Sequence, residues 1–331
     1  MKKRILISDI ARALGISVTT VSFILNDKAK EKRISESLTK RVLEYVKKVG
    51  YKPNQLAKSL RTGQTKILGL LVEDISNPFF ANVAKYIERQ AYDKGYHIIY
   101  CSMNNDENKA KELIQLFIDR QVDGFIITPS EGLEETIAHI QQNNIPLVLF
   151  DRYLPGVDTN FVVSDNLNGS FDATRHLLEN GNNRIGLVSL YSNQTQMKER
   201  LEGYMKAMDD FQKQAFIIKI KTDEEEELGL QKIHEFITDN KLDAVLFATN
   251  YLAVKGLKAI KRYGTTLPRM IAFDEHTLFQ LHEPSITVVS QDIPKLTQEL
   301  INSLLAEING KNKELRKITI PCSLIIRESS K

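Results

Sequence analysis

Two patterns of apolar and polar positions divide the chain. Up to about residue 50, apolar side chains recur three and four apart: Ile10 with Leu14, then Val21, Ile24 and Leu25, then Leu38, Val42, Tyr45, Val46 and Val49. That spacing predicts three short helices, each presenting one stripe to a small common core. Ser8 or Asp9 is placed to cap the first helix, Gly15-Ile16-Ser17 makes a corner, Ser35 caps the third helix and Gly50 ends it. From Lys66 onward the pattern changes. Continuous apolar runs at Ile67–Val72, His97–Met103, Gly124–Thr128, Leu147–Phe150, Ile185–Leu190, Ala244–Ala248 and Met270–Phe273 alternate with helical segments such as Phe79–Lys94 and Asn108–Arg120. Apolar runs of this kind predict parallel strands buried on both faces, in a doubly wound α/β body long enough for two sheets. A second set of repeats starts at Asp165, so a lobe boundary is expected near residue 164.

The second helix carries the first chemical signal. On a helical wheel Val18, Thr19, Ser22, Phe23 and Asn26 share one arc, and Thr20, Val21, Ile24 and Leu25 the other. The second arc is a core stripe. The first lacks the long charged side chains of an ordinary solvated face. Helix, three-residue glycine turn and helix together read as a helix-turn-helix, whose second helix enters the DNA major groove.

Charge sharpens this reading. Residues 1–66 hold 16 Lys/Arg against 5 Asp/Glu, a net of +11, while the remainder hold 29 against 37, a net of −8; the sum is the overall +3. A basic head on an acidic body is the electrostatic footprint of a nucleic-acid binder. The 331 residues, 42% of them hydrophobic, suffice for two or three domains. No apolar run reaches the ~18 residues of a membrane span. The N-terminus lacks the apolar stretch of a secretory signal. A cytoplasmic protein with two buried, reduced cysteines, Cys101 and Cys322, is expected, with no metal site and no cofactor.

Particular motifs then carry a resemblance. Ile7-Ser8-Asp9-Ile10-Ala11, Thr20-Val21-Ser22, Leu25-Asn26, Gly50-Tyr51-Lys52-Pro53-Asn54 and Ala57-x-x-Leu60-Arg61 resemble the lactose-repressor/galactose-repressor family of bacterial transcription regulators, and the likeness runs nearly to the C-terminus. It implies a head (1–52), a hinge helix and linker (53–66) and a periplasmic-binding-protein-like body (67–331). Within the body the N-lobe would take about 67–163 and 291–318, and the C-lobe about 164–290 and 319–331. It also implies DNA contacts from Ser8, Val18, Thr19, Thr20, Ser22, Phe23, Asn26, Tyr51, Asn54, Ala57, Leu60 and Arg61, with Leu60 as a minor-groove wedge. The chain departs from the family at Phe23, where arginine is common; Phe23 would touch a thymine methyl or fold back into the core. The basic loop at 28–33 is also longer than usual.

Ligands of doubly wound sheets sit at the C-terminal strand ends. Here these ends and the Arg-x-x-Gly-Tyr run at 200–204 supply Asn77, Phe79, Phe80, Asp151, Arg152, Arg200, Asn250, Tyr251, Asp274 and Gln291, positions resembling those of sugar-responsive members. Phe79 offers a flat apolar face, the aspartates accept from hydroxyls, the arginines donate and the amides do both. Two carboxylates against two guanidiniums suit a small neutral sugar, and the arginines should keep both aspartates ionised. Tyr251 stands where an acidic residue is common. Glu224–Glu227 reads as a solvated face. The expectation is a homodimeric repressor on a pseudo-palindromic double-stranded operator, with a purine corepressor or a phosphoprotein partner as alternatives. A transport protein would leave the basic head without a purpose. An enzyme finds no phosphate-binding loop, metal cluster or nucleophile elbow in the chain.

Overall fold

The computed structural model describes residues 5–51, 63–310 and 314–331. It divides into two compact units, Met1–Thr65 and Lys66–Lys331. The expected hinge, with Asn54, Ala57, Leu60 and Arg61, lies outside the described residues.

In the first unit α1 (Ile7–Leu14), α2 (Val18–Leu25) and α3 (Glu36–Val49) enclose Ile10, Ala11, Val21, Ile24 and Val42. The turn between α1 and α2 bends the chain by 111°. Gly15, at φ 65°, makes that corner possible, because the left-handed region costs glycine nothing. Of the two residues expected to cap this helix, Asp9 contributes and Ser8 does not. Leu6 occupies the cap position, and the Asp9 carboxylate accepts from the Leu6 N–H at 2.9 Å.

The second unit comprises two sheets. In chain order its elements are β1 (Ile67–Val72), α4 (Pro78–Asp93), β2 (His97–Ser102), α5 (Glu107–Asp119), β3 (Gly124–Ile127), α6 (Glu134–Gln142), β4 (Leu147–Phe150) and β5 (Asn160–Ser164). Then come α7 (Asn166–Glu179), β6 (Ile185–Leu190), α8 (Thr195–Asp210), β7 (Phe216–Ile220), α9 (Glu226–Asp239), β8 (Ala244–Phe247), α10 (Asn250–Tyr263), β9 (Arg269–Phe273), α11 (Thr277–Leu281) and β10 (Thr287–Gln291). The chain closes with α12 (Ile293–Ile308), β11 (Lys317–Ile320) and β12 (Cys322–Ile325). Strand order is β11-β5-β4-β3-β1-β2 in one lobe and β12-β10-β9-β8-β6-β7 in the other. Both sheets start winding from an inner strand, with β1 between β2 and β3 and β6 between β7 and β8. That arrangement gives each lobe a topological switch point.

Several expectations need correction here. The second sheet is not wholly parallel, because β12 returns antiparallel to β10 (Val288 opposite Ile325). Strand β2 is not buried on both faces; as an edge strand it exposes His97, Ile99 and Tyr100. Strands β5, β7, β11 and β12 are short and flank polar segments, so they escape a search for continuous apolar runs. The lobe crossings also shift slightly: Ser164, Thr319 and Ile320 belong to the first sheet and Gln291 to the second. Cys101 and Cys322 are free thiols, half-buried rather than buried. Glu224 is not on a solvated face, since its side chain is nearly enclosed against Lys232.

The Arg-x-x-Gly-Tyr run gains a packing reason. α8 lies so close to α7 that a Cβ on Gly203 would fall 2.1 Å from the Leu167 carbonyl oxygen. The buried Tyr204 hydroxyl donates to the Ile185 carbonyl at 2.8 Å and accepts from the Phe216 N–H at 2.9 Å. This packing fixes the middle of α8, one turn beyond Arg200, against α7 and the second sheet.

Candidate functional site

Both lobes build their strand ends the same way. Phe150 and Phe273 are fully buried at the ends of β4 and β9, each side chain contributing roughly 1.5–3 kcal/mol by burial. Each is followed by an aspartate in the left-handed region, Asp151 at φ 67° and Asp274 at φ 71°, a conformation Asp tolerates better than most residues. The two aspartates are thereby held at equivalent ends of the two sheets.

Each aspartate has an arginine beside it. Arg152 is 2% exposed; its Nη2 donates to Glu73 at 2.8 Å and to Asn105 Oδ1 at 2.9 Å, and its Nε lies 4.0 Å from Asp151. Its Nε and Nη1 have no hydrogen-bond partner among the described residues, nor do the buried Thr128 and Ser130 hydroxyls just beyond β3. Arg200 donates from Nε to Asn166 Oδ1 at 2.8 Å and from Nη1 to the Ala248 carbonyl at 2.6 Å. Its guanidinium also lies 3.7 Å from Asp274 and covers the Phe273 ring at 3.6 Å. Gln291 accepts from the Ser164 hydroxyl and donates to Asp274 Oδ1 at 2.5 Å. Asn250 Nδ2 reaches Asn77 Oδ1 in the opposite lobe at 3.4 Å, while the same Asn77 oxygen caps α4 by accepting from the Phe79 N–H. Gln194 Nε2 crosses to Asn105 Oδ1 at 3.3 Å.

Phe79 packs edge-on against Phe80, and Phe80 against Phe150, so Phe80 is core rather than lining. Phe79 borders a pocket of about 240 Å³ together with Asp274, His276 and Gln291. Tyr251 is partly buried, and burial raises its hydroxyl well above the usual tyrosine range. A larger pocket of about 470 Å³ runs between Tyr153 and Phe161 on one lobe and Glu199 and Glu202 on the other. Asp151, Arg152, Arg200 and Asp274 do not line it, so the chemistry rather than the size of the space marks the site.

Electrostatics refine one expectation. Burial pushes Asp151 up to about 6, against the opposing pull of Arg152 and then Arg200, with Glu73 and Asp274 adding to the rise. Asp274 is also raised by burial, partly offset by Arg200 and the Gln291 amide. Desolvation outweighs the guanidiniums, so the arginines do not bring these aspartates down to the ordinary carboxylate range. The charge count changes too, since Glu73 adds a third carboxylate. Glu73, Asn105, Ser164, Asn166 and Gln194 were missed in the sequence. Glu73 had a usable signal, because it follows β1 directly, as Asp151 follows β4.

The head places its residues as a surface and a core. Val18 and Thr19 are exposed at the start of α2; Ser8, Thr20, Ser22, Phe23, Asn26 and Tyr51 are half-buried. Ser17 caps α2, its Oγ accepting from the Thr20 N–H at 3.0 Å and lying 2.8 Å from the Thr20 hydroxyl. The Asn26 amide donates to the Ser22 carbonyl at 2.7 Å, and Tyr51 packs on the head core. Phe23 does not return to that core; its ring lies 5.5 Å from the Lys32 ammonium. Ser17→Ala is expected to cost the head about 1 kcal/mol through the lost cap. Hydrogen exchange of the α2 amides in the full chain should accelerate about fivefold while the second unit's amides stay unchanged.

Comparison with known proteins places these features. Residues 6–54 match the model described as bacterial regulatory proteins, lacI family, and residues 65–328 that of periplasmic binding proteins and sugar binding domain of LacI family. The chain is 28% identical over 336 residues to the HTH-type transcriptional repressor PurR of Haemophilus influenzae (strain PittEE), covering 98% of both chains. Among solved structures, the lac repressor dimer bound to operator and the anti-inducer ONPF superposes with a TM-score of 0.87 at 20% identity, covering 99% of each chain. A LacI family transcriptional regulator from Enterococcus faecium with bound ribose gives 0.72 at 25% identity, covering 80% of this chain and 98% of the other. No single helix among the described residues is long and apolar enough to cross a membrane.

Proposed function

This chain belongs to the LacI family of bacterial regulatory proteins, DNA-binding transcription repressors, and from that premise we propose that a small neutral sugar held between its two lobes sets its affinity for an operator. One observation carries the reading: buried aspartates at equivalent strand ends of both lobes each have a buried arginine beside them, and Arg152 Nε and Nη1 have no hydrogen-bond partner among the described residues. A polyol offers many hydroxyls, each able to donate to a carboxylate and accept from a guanidinium or amide. A stacked planar base is served less well, since the Phe273 face is already covered by Arg200 and Phe80 is packed into the core. The ribose-bound relative from Enterococcus faecium supports a pentose.

The regulator acts as a homodimer, each head reading one half of a pseudo-palindromic operator with Val18, Thr19, Ser22 and Phe23 at base edges. The hinge expected at residues 54–61 lies outside the described residues. Sugar favours a lobe arrangement in which the two hinges are wrongly spaced for DNA, so binding of one ligand opposes the other. Such coupling is typically ~1–3 kcal/mol, a 5–150-fold change in operator affinity. The test is fluorescence anisotropy on a fragment selected from the source genome, repeated with mono- and disaccharides and with purine bases. A neutral sugar that weakens operator binding within that range supports the reading. Release or tightening by a purine alone, with every sugar silent, refutes it.

A further inference from the structure

We propose that Glu73 sets the charge specificity of the cleft: by occupying Arg152 it makes the site refuse sugar phosphates and accept uncharged sugars. This deepens the effector reading above and rests on the cleft being a small-molecule site.

A guanidinium carries five N–H donors in a rigid plane. On Arg152, 2% exposed, Nη2 is committed to Glu73 and Asn105, whereas Nε and Nη1 have no partner among the described residues. A buried guanidinium with unused donors is a strong recruiter of phosphate or carboxylate oxygens. Glu73 counters that pull at 2.8 Å, from the wall of the same cleft, with 21% of its side chain exposed. Its charge also reaches Asp151 in its own lobe and Tyr251 in the other, raising both. The Glu73 carbonyl accepts from the Asn104 N–H at 2.7 Å, which ties the Glu73 backbone to the turn that carries Asn105.

The charge count decides the outcome. Glu73, Asp151 and Asp274 face Arg152 and Arg200, so the ionised cleft is net negative. A phosphoryl group brought there meets like charge and an arginine already paired, while a hydroxyl still finds Nε and Nη1. Neutralising Glu73 without changing its shape leaves two carboxylates against two guanidiniums and turns the charge-assisted pair into a neutral hydrogen bond that an anion can displace.

The experiment is calorimetric titration of the full chain with ribose and ribose 5-phosphate, on the wild type and on Glu73→Gln, Glu73→Ala and Glu73→Asp. In both neutral variants the phosphate ester should gain at least tenfold in affinity while ribose stays level or weakens. Glu73→Asp, which keeps the charge, should retain discrimination against the ester. No gain for the ester in either neutral variant, or an equal gain for both ligands, overturns the proposal. If wild type binds ribose but the variants gain nothing, the role of Glu73 fails and the sugar reading stands. If wild type ignores ribose but the variants acquire the ester, the sugar reading fails and Glu73 is confirmed as the charge gate. Silence of every protein towards both ligands overturns both.

Discussion

Replacing Arg200 with alanine is expected to lower the stability of the second unit by about 3–5 kcal/mol and to silence the sugar response. The side chain is 2% exposed and does four jobs at once: it donates to Asn166 and to the Ala248 carbonyl, pairs with Asp274, and covers Phe273. Truncation strands Asp274 in a buried site where, among the described residues, the Gln291 amide is left to answer it. It also frees the Asn166 amide oxygen, which sits at the first turn of α7 where the chain has just crossed between lobes. A loss of this size is a large share of the 5–15 kcal/mol typical of a domain, so urea midpoints of the full chain should fall clearly. The head has its own core of Ile10, Ala11, Val21, Ile24 and Val42. At temperatures where the second unit remains folded, operator binding should therefore survive and become indifferent to sugar. Arg200→Lys should recover part of the stability and none of the response, because a single ammonium cannot reach Asn166, Ala248 and Asp274 together. An unchanged urea midpoint with intact sugar response in Arg200→Ala would remove Arg200 from the site.

What could be read from the sequence was governed by local rules. Gly15, Ser35 and Gly50 act within a turn of where they stand, so the head's three helices follow from spacing and caps. Phe150-Asp151 and Phe273-Asp274 are legible because a polar residue directly after a buried apolar run must stand at a strand end. Ser8 failed as a cap because the helix starts at Ile7, two residues before the start that a Ser8 cap implies, and Asp9 reaches back instead. Strand β2 misled because His97–Ser102 is apolar enough for a central strand yet sits at an edge, a position decided by sheet order and not by its own residues. The Arg152–Glu73 pair joins residues 79 apart in the chain, and no periodicity announces it. The direction of the Asp151 shift was misjudged for a similar reason. Counting arginines gives the attraction, but the depth of burial gives the opposing desolvation, and depth is a tertiary property.

That burial makes Asp151→Asn a substitution expected to stabilise the protein while disabling it. Asp151 is 7% exposed and its carboxyl is pushed up to about 6 from the ordinary 3.8. Because the folded state holds this proton more tightly than the unfolded chain does, the contribution is fully present below pH ~4. It declines as pH rises and is lost beyond about 6. At pH 7.5 the ionised, buried carboxylate therefore costs the fold up to about 3 kcal/mol, two pKa units at 1.36 kcal/mol each. Asparagine cannot ionise, so the variant should exceed wild type in urea midpoint at pH 7.5, with the gap closing by pH 4. The loss of a counter-charge 4.0 Å from Arg152 trims the gain without reversing it. The cost falls on binding. A ligand hydroxyl that donates to the carboxylate makes a charge-assisted bond worth about 1.5–3 kcal/mol, and the amide's neutral oxygen replaces only part of it. Sugar affinity should fall roughly 10-fold or more. A cleft that binds a neutral polyol through charged groups thus carries its desolvation cost in the ligand-free fold, and closing on the ligand recovers it. A variant no more stable than wild type at pH 7.5, or one that binds sugar equally well, would show that Asp151 bears neither the strain nor the recognition assigned to it.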